Sequence, residues 1–159
     1  MSDGDITEIL NGLSVRSGCR MRLSRGGAPA YSAGEIAAML RGLPRTHIAL
    51  TYARYALDPG ACEELAQWLR IEAIEEAKRQ GFGITASDEH LSHLAALVRD
   101  EAIFDQVGYT GRGRAKRLGV SDRAWRERWS GLHAVLLRRV QAWQSDIRLK
   151  LVGELGGVL

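Results

Sequence analysis

The sequence contains little cysteine, proline and phenylalanine, and it lacks long apolar runs. Two cysteines among 159 residues are too few for a disulfide-stapled fold or a zinc ribbon, and the four histidines do not supply the missing ligands at metal spacing. Charged residues interrupt every apolar stretch, so no membrane span is predicted. The first ten residues lack the basic and apolar regions of a secretory signal. We therefore expect a cytoplasmic protein without a membrane segment or a metal ion.

Motifs that would indicate an enzyme are also missing from the sequence. It contains no Ser–His–Asp order, phosphate-binding loop, HExxH helix or paired catalytic carboxylates. Gly111-Arg112-Gly113 lacks the preceding strand and the further glycine of a dinucleotide-binding loop. Acidic doublets such as Glu63-Glu64 are typical of solvated helix faces. The sequence thus predicts a protein with no catalytic residues and no cofactor.

Charge is divided unevenly along the chain, although the formal net charge is only +3. Residues 112–150 carry eleven Lys or Arg against three Asp or Glu, whereas residues 58–111 carry four against eleven. A basic segment of this kind attracts phosphate backbones, because binding releases their counterions. The acidic segment should not face nucleic acid. It is either a solvated helix surface or a face for a basic protein partner.

Apolar residues recur at helical spacing over most of the chain, and no segment sustains the alternation of a strand. Ser32 and Glu35 form a capping box, and Pro44 breaks the helix that follows them. Asp58-Pro59-Gly60 is predicted as a turn before a long helix. The pattern predicts an all-α fold in one compact unit, made of three parts in chain order. These are a basic N-terminal arm (residues 1–31), a helical body (32–108), and a helix-turn-helix with a long amphipathic last helix (109–159).

Residues 111–129, GRGRAKRLGVSDRAWRERW, have the pattern of a helix-turn-helix. Ala115 allows a second helix to approach closely, and Gly119 suits the left-handed backbone of a tight turn. Ser121 can cap the helix that follows. The alternative interpretation is an ordinary helical hairpin with a basic, solvated surface.

Apolar side chains of this segment indicate which side of it faces the core. Leu118 and Val120 flank the turn and are predicted to be buried anchors. Trp125 and Trp129 recur at i and i+4, so they share one face of the second helix. We expect both indoles to be largely buried.

The other side chains of the segment are strongly basic. In a helix-turn-helix the second helix enters the major groove, residues at its tip reach base edges, and neighbouring arginines hold phosphates. The predicted DNA-binding residues of the second helix are Ser121, Asp122, Arg123, Arg126 and Arg128. The predicted phosphate contacts of the preceding turn and helix are Arg112, Arg114, Lys116 and Arg117.

A second basic segment precedes the capping box and is rich in Gly, Ser and Arg. Its arginines, which have irregular spacing, are Arg16, Arg20, Arg22 and Arg25. Charge alone indicates an arm that binds nucleic acid or lines a positively charged passage. A poorly ordered loop explains the composition equally well.

Residues 90–145 form a wider pattern around the helix-turn-helix. A helix ending in an aromatic region (Phe104, Tyr109) leads into GRAKRLGVSDRAWRERW and then into a long amphipathic helix ending near Trp143. This pattern resembles the C-terminal half of the Q-type phage late-gene antiterminators. It is most similar to the small all-helical branch that includes the AlpA-type activators of bacterial lysis cassettes. The cysteine set of the family's zinc-containing branch is missing.

The resemblance implies a DNA-binding transcription antitermination factor. Such a protein binds a double-stranded DNA element near a promoter and loads onto bacterial RNA polymerase that still holds its sigma factor. It then stays with the elongating enzyme and lets it read through terminators, partly by altering the RNA exit channel. By matching position, Arg123, Arg126 and Arg128 would read DNA. A role for the basic arm on nascent RNA or the polymerase channel is inferred from charge alone.

Two other functions fit a basic helix-turn-helix. A conventional repressor or activator would bind as a dimer to a palindromic operator. Leu132, Leu136, Trp143 and Leu151 on the last helix offer a seam for such a dimer. A phage DNA-packaging small subunit would instead assemble into a ring of many copies.

Overall fold

A computed structural model describes residues 3–13, 31–82, 88–104 and 109–156, and every regular element in these ranges is a helix. The all-α prediction is confirmed, including the long last helix. The α-helices are α1 (Asp3–Asn11), α2 (Ala33–Met39), α3 (Arg45–Thr51), α4 (Pro59–Arg79), α5 (Asp88–Ile103), α6 (Gly111–Leu118), α7 (Asp122–Ala124) and α8 (Ser130–Gly156). There are also two π-helical segments. Tyr52–Ala56 follows α3, and Trp125–Trp129 joins α7 to α8. Within the described ranges no helix is both long and apolar enough to cross a membrane.

The capping box at the start of α2 is confirmed in both directions. Ser32 Oγ accepts a hydrogen bond from the Glu35 amide at 3.3 Å, and Glu35 Oε2 accepts one from the Ser32 amide at 2.6 Å. Hydrogen bonding to Ser32 lowers the pKa of the Glu35 carboxyl. Pro44 stands at the N-cap of α3, where its missing N–H costs nothing.

The segment predicted as a turn before α4 is in fact its first helical turn. Asp58 Oδ2 accepts a hydrogen bond from the Ala61 amide at 2.8 Å, and Pro59 is the first helical residue. A proline at this position has the helical φ angle already fixed and lacks a donor that would be unpaired anyway. The chain therefore passes directly from Leu57, which has a left-handed φ of 49°, into α4.

The chain forms two compact units rather than the single unit predicted. One unit contains Met1–Cys62 and Ala142–Leu159, and the other contains Glu63–Gln141. The predicted boundaries near residues 32 and 109 do not coincide with this division. The division instead falls inside α4, between Cys62 and Glu63, and inside α8, between Gln141 and Ala142.

The first unit buries leucine and isoleucine side chains from several helices. The largest that are 2% exposed or less are Leu10, Ile36, Leu40, Leu50 and Leu151. A buried histidine, His47, joins α3 to α8: its Nε2 lies 2.9 Å from Asp146 Oδ2, and its ring centroid lies 5.9 Å from that of Trp143.

The second unit is built around leucines of α4, α5, α6 and α8. Those that are fully buried are Leu65, Leu69, Leu94, Leu97, Leu118, Leu132 and Leu136. In this unit α6 packs against α5 and α7. These contacts fix the position of the helix-turn-helix within the second unit.

The side chains suggested as a dimer seam are used inside the chain. Leu132, Leu136 and Leu151 are fully buried, and Trp143 is 8% exposed. They are therefore not available to a second copy of the protein. The prediction that these side chains form a dimer seam is wrong. The sequence pattern alone did not separate an internal apolar face from an intermolecular one, because both have the same helical period.

Candidate nucleic-acid interface

The turn between α6 and α7 has the geometry that the sequence predicted. Thr110 Oγ1 caps α6 by accepting a hydrogen bond from the Gly113 amide at 3.1 Å. Gly119 has a left-handed φ of 76°, and the following amide of Val120 donates to the Ala115 carbonyl at 3.0 Å. This bond closes the C-terminus of α6 in the manner of a Schellman motif. Ser121 then caps the second helix, its Oγ accepting from the Ala124 amide at 3.1 Å.

The buried side of the motif is confirmed at both tryptophans. Trp125 is 5% exposed, Trp129 is 4% exposed, and Leu118 is fully buried beneath the turn. Val120, however, is only half-buried and is not the anchor that was predicted. It lies between Gly119 and the capping Ser121, where the connecting turn runs along the surface.

The second helix carries a π-helical segment at the two tryptophans. The Ser130 amide donates to the Trp125 carbonyl, five residues earlier. The Trp125 ring stands edge-on to His133, with centroids 5.3 Å apart, and the Trp129 ring centroid lies 5.6 Å from that of Phe82. Insertions of this kind are found often at functional sites. Here the π-helical segment holds both indoles on the buried side of one helix.

A buried ion-pair network fastens α6 to its neighbours. Glu101 on α5 is 7% exposed at its side chain, and its two carboxylate oxygens lie 2.5 Å from His133 Nε2 and 2.7 Å from Arg114 Nε. Burial alone would raise the pKa of Glu101, but the hydrogen bonds from His133 and Arg114 outweigh it and lower that pKa. The network thus joins α5, α6 and α8 through an ionised carboxylate.

Two of the predicted phosphate contacts are held by partners on α5. Arg114 belongs to the network above and is only 28% exposed at its side chain. Arg117 donates to Asp100 Oδ2 at 2.7 Å and stacks over the Tyr109 ring at 5.0 Å. The hydrogen bond with Asp100 raises the pKa of Arg117 further. Arg114 therefore has a structural role that its place in a basic run did not indicate.

The remaining predicted side chains lie on the solvent side. Arg112 is 87% exposed, and its Nε lies 3.2 Å from Asp122 Oδ2 at the tip of the second helix. Arg123 is 80% exposed and donates to Glu127 Oε1 at 2.8 Å. The side chains of Lys116, Arg126 and Arg128 are exposed and make no hydrogen bond or ion pair to any described residue.

Sequence reasoning missed Glu101 and His133 as part of this region. Glu101 lies on the helix before α6 and His133 on the helix after the motif, and no local spacing links either of them to Arg114. The arm arginines, Arg16, Arg20, Arg22 and Arg25, lie outside the residues that the structure describes. Comparison with protein-family models, with curated proteins and with solved structures finds no match to this chain.

Proposed function

We propose that this chain is a DNA-binding transcription antitermination factor that acts in the bacterial cytoplasm. It binds a double-stranded DNA element near a promoter and loads onto RNA polymerase holding a sigma factor. The DNA-binding part of this proposal rests on one observation. The second helix of the motif buries Trp125 and Trp129 on one side and presents Arg123, Arg126 and Arg128 to solvent around its other faces.

The exposed groups divide naturally between base and phosphate contacts. Asp122, which is 49% exposed, and Arg123 lie in the first turn of the helix, where side chains reach base edges in a major groove. On the preceding helix, Lys116 is exposed without an ion-pair partner among the described residues, and Arg112 would exchange its exposed contact with Asp122 for a phosphate. Arg114 is left out of the proposed interface because Glu101 holds it. The N-terminal end of the second helix adds its own partial positive charge.

The antitermination part is supported by the sequence resemblance over residues 90–145. Burial of Leu132, Leu136 and Leu151 inside the chain also supports it over a repressor dimerising through those leucines. The exposed arginines of the second helix would hold the DNA element while polymerase is engaged. The basic arm would then act on nascent RNA or on the polymerase channel.

Oligomeric state and DNA selectivity form the first test. Light scattering of the purified protein should give a monomer, whereas a dimer favours a conventional repressor and a large ring favours a packaging subunit. Selection from a randomised duplex library should return one preferred sequence. Equal binding of all duplexes would contradict the proposal.

Terminator readthrough with purified polymerase is the decisive test. The protein should increase readthrough only on templates that carry its selected element. Replacing Arg20, Arg22 and Arg25 together with alanine should leave DNA binding intact and abolish readthrough. Parallel loss of both would place the arm on the duplex, and unchanged readthrough would remove the arm from the mechanism.

A further inference from the structure

A carboxylate interrupts the arginine-rich solvent face of the second helix. Glu127 is the sixth residue of the second helix, which begins at Asp122, and its side chain is 57% exposed. It lies between Arg126 and Arg128 in sequence and accepts a hydrogen bond from Arg123 Nε at 2.8 Å. An acidic group here weakens the attraction of this surface to phosphates.

Helix stability alone gives little reason for this glutamate. An exposed i,i+4 ion pair contributes only a few tenths of a kcal/mol. The order here, with the arginine N-terminal to the glutamate, is the less favourable one for a helix. The apolar packing of the helix rests on the opposite side, on Trp125 and Trp129. The position of Glu127 points to a role on the DNA-facing surface.

Building on the proposed DNA binding, we propose that Glu127 reads the N4 amino group of a cytosine in the major groove. An ionised carboxylate only accepts hydrogen bonds, and cytosine offers a donor on its major-groove edge. Adenine also has a donor, but its neighbouring N7 acceptor repels a carboxylate. Phosphates repel it as well, so Glu127 lowers binding to unrelated sequences.

Arg123 completes the recognition of the same base pair. One of its five N–H donors is used on Glu127, and the others remain for the O6 and N7 acceptors of the paired guanine. The ion pair observed in the free protein thus orients both side chains toward one C·G pair. Together they distinguish it from G·C, A·T and T·A.

The test compares base preference in selections from a randomised duplex library. Glutamine carries both a donor and an acceptor and pairs with adenine N6 and N7. Glu127→Gln should therefore lower the preference for cytosine over adenine at one base position, while Arg123 still favours guanine on the opposite strand. The wild-type preference for cytosine there should be about 10-fold to 100-fold. Glu127→Ala should also lower the preference for cytosine but without improving adenine, leaving only the discrimination that Arg123 supplies through the paired guanine.

A matched control is available elsewhere on the chain. Glu154 accepts from Lys150 Nζ at 2.6 Å in another exposed i,i+4 pair, and its side chain is 43% exposed. Glu154→Gln removes the same charge and should leave every base preference unchanged. A sequence-specific wild type whose preferences survive Glu127→Gln would overturn only the role of Glu127. A wild type that binds all duplexes alike would overturn the proposed function and, with it, this inference.

Discussion

Glu101 and His133 lie 32 residues apart in the chain, yet His133 Nε2 is 2.5 Å from Glu101 Oε2. Both side chains are less than 10% exposed. The same carboxylate accepts from Arg114 on α6, so one buried anion joins the first helix of the motif to α5 and α8. This contact fastens α6, the helix that precedes the turn at Gly119, to its neighbours.

Removing the charge of Glu101 should destabilise the second unit. Glu101→Gln leaves Arg114 and the His133 ring without an anionic acceptor, and we expect the free energy of unfolding to fall by about 2–3 kcal/mol. Urea denaturation followed by tryptophan fluorescence measures this. Glu89→Gln, an exposed change on the same helix, should stay within about 0.5 kcal/mol of wild type. Equal effects of the two variants would contradict the structural role of the network.

Protonation of Glu101 should also lower the stability of the protein in acid. Because the folded pKa of Glu101 is lowered, its contribution is complete above the unfolded value of about 4.5 and is lost as the pH drops through the folded pKa. We expect the free energy of unfolding to decrease progressively as the pH falls below about 4.5. Urea titrations across this range should show a smaller decrease for Glu101→Gln. An identical slope in both proteins would assign the acid sensitivity to other carboxyl groups.

Replacing each of two glycines of this region with alanine should change the free energy of unfolding in opposite directions. Gly119 has a left-handed φ of 76°, so Gly119→Ala should cost about 1–2 kcal/mol although no atom lies within 4 Å of the added Cβ. Gly131 is exposed in α8 with equally open space, so Gly131→Ala should add about 0.5–1 kcal/mol. Thermal unfolding of both variants checks this. A stabilising Gly119→Ala would rule out the left-handed turn.

Salt dependence should reveal which lysines contact phosphates. Lys116 is exposed on α6, and Lys116→Ala should reduce the slope of log affinity against log salt concentration by about one unit. Lys78→Ala removes an equally exposed lysine from the acidic helix α4 and should leave the slope unchanged. Fluorescence anisotropy with a labelled duplex at several salt concentrations measures both. Equal slopes for the two variants would remove Lys116 from the interface.

Short-range chemistry made the turn and the caps predictable from the sequence. The bonds of Ser32 with Glu35, of Gly119 at its turn, and of Ser121 with Ala124 all close within a few residues. Such bonds depend on side-chain type and backbone angle, and both are encoded locally. The burial of Trp125 and Trp129 followed from their common face on one helix.

Tertiary structure decided which members of the basic run are free. Arg112 and Arg114 look equivalent in the sequence, but only Arg114 meets a buried carboxylate, that of Glu101 on α5. Likewise, helical period alone did not tell whether Leu132 faces its own chain or a partner, and the structure buries it internally. The physical reason is common to both cases. Burial and ion pairing depend on groups that the fold brings together from different helices. Periodicity along one helix shows only which of its faces is apolar or charged, and it does not show which group packs against that face.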